Sequence, residues 1–359
     1  MDALSRRRFL QLAGATPLIA HPFLSHGAST RKVGVALLGL GGYSSGQLAP
    51  ALQFTRYCEL RGVITGSPDK IPRWQRQYNI PDRNVYTYDT MAEIANNPDI
   101  DVIYVVTPTG THKDFVVRAA NTGKHVWCEK PMAMNVQECD AMIAACRNNG
   151  VMLSIGYRMQ HEPNTRRMAS YASLQPYGPM TGLESFAGYG GNGRAQSNWR
   201  MQADMGGGAL YDMGVYAING ARFITRQEPV AVTGRLFKEH PAFIEVDDTT
   251  LFTLDFGNGL VADCGTSVVK SFNYLKASCA SGSYQLKPMQ SYSGVEATTS
   301  DGKHFPAIPG KQQTLQMDND TLAILGRGPA LVSAREGRQD IHIVNAIFTA
   351  ARTGKAVSL

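Results

Sequence analysis

The sequence predicts an α/β protein, with an N-terminal Rossmann dinucleotide-binding domain followed by an α+β domain built on an open, largely antiparallel sheet. Three observations predict it. Short apolar runs alternate with helical patterns from Val33 to Tyr157, the pattern of a parallel, doubly wound sheet. Glycines cluster directly after the first run, where such sheets bind phosphates. Beyond Tyr157 the texture changes to strand-like segments, two of them joined by the turn Gly257-Asn258-Gly259, which reads as a hairpin.

Taken in order, the chain opens with Ser5-Arg6-Arg7-Arg8-Phe9-Leu10-Gln11 and a weakly apolar run, Leu12 to Ala20, interrupted by Gly14 and Pro17. The run is too short to span a bilayer, and the order of its parts is that of a twin-arginine signal. Residues 1–28 are therefore expected to engage the twin-arginine export machinery and to direct the folded protein to the periplasm. Cleavage is expected after Ala28, with retention as an anchor as the alternative.

The first domain is expected over residues 29–156. Its strands are read at Val33–Leu38, Glu59–Thr65, Val85–Tyr88, Val102–Val106, His125–Cys128 and Val151–Ile155. Between them lie helical patterns, clearest at Met91–Asn96, His112–Asn121 and Val136–Asn148. The second domain, residues 157–359, is expected to begin with a helix near Asn164–Ser173. A glycine-rich loop and a long helix follow, then strands near Val230–Lys238, Asp248–Phe256 and Gly259–Thr266. A last helix, Asp340–Arg352, is capped by Gly354.

Composition excludes several classes. Hydrophobic residues make up 43% of the chain and charged residues 18%, enough apolar content to bury cores and too little charge for disorder. Removing the leader, with its three arginines and one aspartate, takes the formal charge from +6 to +4. That is too mild, and too scattered, for a nucleic-acid partner. Cys58, Cys128, Cys139, Cys146, Cys264 and Cys279 include no C-x-x-C pair and no histidine at metal-ligand spacing. Buried free thiols and no metal are expected.

The cofactor site is expected where Val33–Leu38 runs into Gly39-Leu40-Gly41-Gly42-Tyr43-Ser44. Gly39 permits the tight turn and Gly41 lets the backbone approach a pyrophosphate, which the free N–H groups and dipole of a helix N-terminus stabilise. Serine stands at position 44, where the standard fingerprint has its third glycine. The second strand ends at Thr65-Gly66-Ser67-Pro68-Asp69-Lys70, with no carboxylate at its tip to hold the 2′-hydroxyl of NAD. Ser67 can cap the next helix with Pro68 at its first position, and with Lys70 it suits a 2′-phosphate. NADP(H) is thus favoured over NAD.

The chemical site is expected from Val126-Trp127-Cys128-Glu129-Lys130-Pro131, which places Lys130 at the ligand-binding edge of the sheet. It is completed by Gly206-Gly207-Gly208-Ala209-Leu210-Tyr211-Asp212-Met213-Gly214-Val215-Tyr216-Ala217-Ile218-Asn219. There Asp212, Tyr216 and Asn219 form a polar line on an otherwise apolar helix. Such a line serves either a buried structural network or a ligand.

At these residues the chain resembles the Gfo/Idh/MocA superfamily of glucose-fructose oxidoreductases, inositol dehydrogenases and related sugar dehydrogenases. The match runs through Thr107-Pro108 with His112, Glu129-Lys130-Pro131, Ile155-Gly156-Tyr157-Arg158, Trp199-Arg200, the triple-glycine helix, and Glu336-Gly337 leading into Ala350-Ala351-Arg352-Thr353-Gly354. It covers nearly everything from Lys32 onward. Tyrosine at position 216, where many members carry histidine, makes the periplasmic glucose-fructose and aldose oxidoreductases the nearest in pattern.

The resemblance implies that Lys130 and Asp212 orient a sugar and that Tyr216 passes a proton while hydride moves between sugar C1 and nicotinamide. It implies cofactor contacts from Gly39, Gly41, Gly42, Tyr43, Ser67, Lys70, Thr107, Pro108, His112, Glu129, Lys130, Trp199 and Arg200. Tyr157 and Arg158 would touch sugar hydroxyls or brace the domain junction, and Trp199 and Arg200 would close over the site or simply pack. A homodimer or homotetramer through the C-terminal sheet is implied as well. A free phenol, with its ordinary pKa of about 10, is a weak base at neutral pH, and a neighbouring ammonium favours its phenolate. An exported enzyme meets no NADP pool outside the cytosol, so oxidising one sugar and reducing a second on the same bound nucleotide is expected. The long proline-rich arm that clamps the nucleotide in the glucose-fructose enzyme has no counterpart between Ser29 and Lys32. Two other readings remain open: an exported glycosidase using transient redox, and a sugar- or nucleotide-sensing protein without catalysis.

Overall fold

A computed structural model describes residues 31–359; the twin-arginine signal expected over residues 1–28 lies outside the described residues. Val33–Leu359 form one compact body around two sheets. The first has six parallel strands, β1 (Val33–Leu38), β2 (Cys58–Thr65), β3 (Val85–Thr87), β4 (Val102–Val105), β5 (His125–Cys128) and β6 (Leu153–Ile155), in the order β3-β2-β1-β4-β5-β6. All six residues of β1 are buried, as a central strand covered on both faces requires. Strand order reverses between β1 and β4, and ligands bind at such a switch point.

The helices of this half are α1 (Ala49–Leu52), α2 (Ile71–Tyr78), α3 (His112–Asn121) and α4 (Val136–Asn148). The last two match the expected bounds. The Met91–Asn96 pattern closes instead as a 3-10 turn over Thr90–Asn96, because Pro98 leaves no room to continue. Before α1 the chain makes a π-helical turn, Ser44–Leu48.

The second sheet has nine strands: β7 (Met180–Gly188), β8 (Ala231–Phe237), β9 (Thr249–Asp255), β10 (Val261–Ser267), β11 (Asn273–Cys279), β12 (Gly282–Leu286), β13 (Ala297–Thr299), β14 (His304–Phe305) and β15 (Val357–Ser358). The β9–β10 hairpin turns at Gly257-Asn258-Gly259 as the sequence predicts, with Asp255 opposite Val261. Every pairing is antiparallel except β7 with β10. Helices α5 (Pro163–Leu174), α6 (Val215–Thr225) and α8 (Ala334–Thr353) accompany this sheet. Gly354, at φ +67°, ends α8 in the expected left-handed cap.

Two features were invisible in the apolar pattern. One hydrophobic core runs across the Gly156–Tyr157 junction, joining Ile155 and Met132 to Tyr157, Leu210 and Tyr216. Helix α7 (Gln312–Ile324) then returns from the second sheet to the first, where Met317 enters the cluster of Val33, Val35 and Leu37. Among the described residues no helix is long and apolar enough to cross a membrane, no histidine, cysteine and carboxylate cluster could hold a metal, and the six cysteines are free thiols, five of them buried.

Candidate active site

The glycine turn after β1 has the form a dinucleotide needs. Gly39 stands at φ +97°, and a Cβ there would lie 2.5 Å from the Val106 carbonyl oxygen, so only glycine allows the turn. Gly41 and Gly42 are exposed, and a Cβ on either would meet no atom within 4 Å. The first N–H groups of the helix that follows have no intrahelical partner, a geometry suited to an anion. Ser44 replaces the third glycine without opening the turn. Its buried hydroxyl donates to the Gly39 carbonyl at 2.5 Å. The backbone and side chains present therefore fit a bound dinucleotide.

At the tip of β2, Ser67 stands before a 3-10 turn, Pro68–Lys70, but the expected hydroxyl cap is not made. The Ser67 N–H instead donates to Thr65 Oγ1 at 3.0 Å. Lys70 and Asp69 are both exposed in that turn. Thr107 and Pro108 follow β4, and the Thr107 methyl lies 3.0 Å from where a Gly39 Cβ would be. His112 reaches the site only through them. It is buried, and its two ring nitrogens lie 2.9 Å from the carbonyls of Thr107 and Pro131. Burial lowers its pKa, and the ring braces the loops after β4 and β5.

The triple glycine builds the other wall. A Cβ on Gly206 would lie 2.7 Å from Thr109 Cβ, one on Gly207 2.5 Å from the Arg200 carbonyl, and one on Gly208 2.3 Å from Asp247 Oδ1. The chain thus presses against Thr109, Arg200 and Asp247 as it enters a π-helical segment, Leu210–Gly214. Buried Asp247 accepts from the Leu210 N–H at 2.9 Å and from Thr250 Oγ1 at 2.6 Å. Burial pushes its carboxyl up to about 6.

In a π turn the carbonyls leave the line of the i+4 amides. Here the Asp212 carbonyl accepts Lys130 Nζ at 2.8 Å. The same ammonium lies over the Tyr216 ring, 4.4 Å from its centroid. The Asp212 carboxylate is held by Arg200 Nε at 3.2 Å and stands 3.5 Å from the Tyr189 hydroxyl. Lys130, Asp212 and Tyr216 thus converge from β5 and the triple-glycine helix.

The expected polar line divides. Asn219 belongs to a structural network: its amide donates to Asp340 at 2.8 Å and its carbonyl accepts from Gln160 at 2.9 Å. Arg222 pairs with the same Asp340 at 2.6 Å. Tyr157 is fully buried, with its ring edge-on to Tyr216 at 6.5 Å and its hydroxyl toward Asp340. Arg158 is also buried. It donates to the Ser291 carbonyl, Gln312 and Gln290, and lies 5.3 Å from the Tyr216 ring centroid. It braces the site floor from behind the phenol.

Arg200 and Trp199 lie on the second-domain side. The Arg200 guanidinium stacks 4.3 Å from the Trp199 ring, and Arg200 lines a cavity of about 250 Å³ with Tyr189, Arg194, Asp212 and Phe243. Tyr189, Arg194 and Phe243 carried no periodic or motif signal. Tyr43 caps the opposite rim: its hydroxyl accepts from Gln313 at 3.4 Å and its ring lies 5.9 Å from Tyr292. Burial raises its pKa, and the nearby Glu129 adds to the rise. Glu129 itself is buried, takes a 2.7 Å hydrogen bond from Tyr104, and is pushed by burial up to about 7.

A parallel sheet with a phosphate-type turn at its switch point, facing an ammonium, a carboxylate and a phenol, defines a dinucleotide-dependent oxidoreductase. Residues 33–157 match the family described as "Oxidoreductase family, NAD-binding Rossmann fold", and residues 177–285 match the GFO/IDH/MocA C-terminal domain. The crystal structure of aldose-aldose oxidoreductase from Caulobacter crescentus complexed with glycerol is 34% identical, with a TM-score of 0.87 over 92% of this chain and 100% of that one. The chain belongs to the GFO/IDH/MocA oxidoreductase family. Among curated relatives, D-xylose 1-dehydrogenase [NADP(+)] of Haloarcula marismortui is 29% identical over 67% of this chain and 68% of that protein. The dTDP-3,4-didehydro-2,6-dideoxy-alpha-D-glucose 3-reductase of Actinomadura kijaniata is 28% identical over 54% of this chain and 56% of that protein.

Proposed function

We infer that this protein is a sugar oxidoreductase that holds NADP(H) at the Gly39–Gly42 turn and acts at C1 of an aldose, giving a lactone. The observation that carries this reading is the meeting of Lys130 with Asp212 and Tyr216 at the ligand edge of the parallel sheet. When bound, the nicotinamide supplies the hydride acceptor and donor. Tyr216 takes the proton of the sugar hydroxyl, with the Lys130 ammonium over its ring. Asp212, with Arg200 beside it, orients neighbouring hydroxyls in the cavity. In the reverse direction Tyr216 returns the proton to a carbonyl oxygen.

NADP over NAD is supported by the β2 tip, where Ser67 offers a hydroxyl with exposed Lys70 nearby, and by the NADP(+) named for the Haloarcula relative. We further propose that one bound nucleotide is recycled between two sugars, a reading supported by the likeness to an aldose-aldose oxidoreductase. The leader pattern supports twin-arginine export to the periplasm, where such recycling frees the enzyme from an external nucleotide pool. Residues 29–156 serve the nucleotide and 157–359 the sugar, with a homodimer or homotetramer formed through the second sheet.

The test is to purify the protein without added nucleotide, denature it, identify the released dinucleotide, and assay intact enzyme with aldose and ketose pairs. Stoichiometric NADP(H) with turnover of sugar pairs is expected. A nucleotide-free protein that turns over only with added cofactor overturns the recycling proposal, and absence of net sugar oxidation in either case overturns the oxidoreductase reading.

A further inference from the structure

Glu129 precedes Lys130 in the chain, and its carboxyl is enclosed by three separate elements. Tyr104, in β4, donates its hydroxyl proton to Glu129 Oε1 at 2.7 Å, and Gln316, in α7, donates to the Tyr104 oxygen at 2.9 Å. Tyr104 and Gln316 are both buried. Gly156, after β6, leaves the necessary space: a Cβ there would stand 2.6 Å from Glu129 Oε1 and 3.0 Å from the Tyr104 oxygen. The Oε2 atom lies 3.3 Å from the Lys130 N–H.

Packing alone does not call for this chain of groups. The Tyr104 ring meets Trp127 edge-on at 5.6 Å, a contact that phenylalanine would make equally well. Burying a carboxyl is costly unless donors meet it. A phenol and a glutamine carried in from another part of the chain point to a need for Glu129 itself.

The ionisable groups facing Glu129 define that need. Lys130 and Cys128 flank it on its own segment, Arg158 faces it from beyond β6, Tyr43 from the nucleotide turn, Tyr292 from the loop before β13, and Tyr104 from β4. An ionised Glu129 competes with Tyr216 for the Lys130 ammonium, while a neutral one leaves that charge to the phenol.

We propose that Tyr104 and Gln316 are positioning residues, which fix the Glu129 carboxyl beside Lys130 and set the charge state it holds while Lys130 and Tyr216 act. The proposal rests on the roles given to Lys130 and Tyr216 above. The Tyr104 hydroxyl stabilises the carboxylate form, and the Gln316 amide polarises that hydroxyl into a stronger donor. Burial has already raised Glu129 to about 7, so losing either donor moves its ionisation to higher pH.

The experiment is a pH titration of the Glu129 side-chain carbon by NMR in the full-length protein labelled with 13C-glutamate, with Glu129→Gln used only to assign the signal. Tyr104→Phe is expected to shift the midpoint upward by about one unit, the tenfold effect of a hydrogen bond to a charged acceptor. Gln316→Leu should shift it the same way by less, and it answers the question should Tyr104→Phe fail to fold. In parallel, the limb of the kcat profile governed by Glu129 should move upward with KM for sugar nearly unchanged. Titrations that superimpose on the parent's, with a uniform fall in rate or stability, would make the two residues merely structural and overturn the proposal. If no sugar is oxidised by the parent protein, the function proposed above fails, while the NMR shift still decides whether Tyr104 and Gln316 set the charge of Glu129.

Discussion

Two glycine turns face each other across the site, and they use glycine for opposite reasons. At the turn after β1, a Cβ on Gly41 or Gly42 would meet nothing within 4 Å; at the triple glycine, a Cβ on any of Gly206, Gly207 and Gly208 would strike protein within 2.7 Å. The first turn keeps space for something the chain does not supply. The second has spent all its space on bringing Asp212 and Tyr216 to Lys130. A glycine cluster in a sequence therefore signals close approach, and only the surroundings say whether ligand or protein approaches.

The largest effect expected from this contrast comes from Gly208→Ala. Gly208 stands at φ +96° with Asp247 Oδ1 2.3 Å from its missing Cβ, so alanine adds backbone strain to a clash with a buried carboxyl. A loss of about 3 kcal/mol or more in stability is expected, read as a fall in the denaturant midpoint. Nucleotide content should stay proportional to the folded fraction. A variant as stable as the parent would mean that the packing at Gly208 yields freely, and the contrast between the turns would collapse.

Gly41→Ala sharpens the same comparison from the other side. With no neighbour to strike, the change should leave stability within about 0.5 kcal/mol. It places a methyl where a pyrophosphate would lie against the backbone, so the Kd for the dinucleotide, titrated into nucleotide-free protein, should rise roughly tenfold, about 1.4 kcal/mol of binding. An unchanged Kd in this variant would place the dinucleotide elsewhere.

How much of this was legible in the sequence follows from what each region buries. The central parallel strands β1 and β4 are buried along their whole length, so their apolar runs announced them almost to the residue. Helix α7 buries Gln312, Gln313, Gln316 and Asp320 beside Met317, a polar face with no apolar stripe to read. It went unseen, and with it the Gln312 oxygen that accepts from Arg158 and the amide donors to Tyr43 and Tyr104. In the site, Lys130, Asp212 and Tyr216 were legible because motif and spacing placed them, yet spacing could not separate Asn219, which serves Asp340 instead. Nor could it show that Lys130 is held by the main chain of Asp212, since a π turn leaves no mark in a hydrophobic pattern. Ser67 was expected to cap its helix and does not, because the turn after β2 closes through Thr65 first.

The smallest effect concerns which nucleotide the open turn accepts. Lys70 is exposed and one turn beyond the β2 tip, with Asp69 exposed beside it, so the two charges oppose each other over a 2′-phosphate. An exposed lysine acting through solvent contributes less than about 1 kcal/mol. Lys70→Ala should therefore weaken NADP binding by severalfold or less, lose that effect at high salt, and leave NAD binding unchanged. Direct titration of nucleotide-free protein with each dinucleotide measures both. If NADP and NAD weaken equally, Lys70 acts only on the general negative charge of the ligand, and the Ser67 hydroxyl carries whatever preference the β2 tip has. If NAD binds more tightly once Lys70 is gone, Asp69 is the residue that reads the ribose, and the preference assigned to this turn reverses.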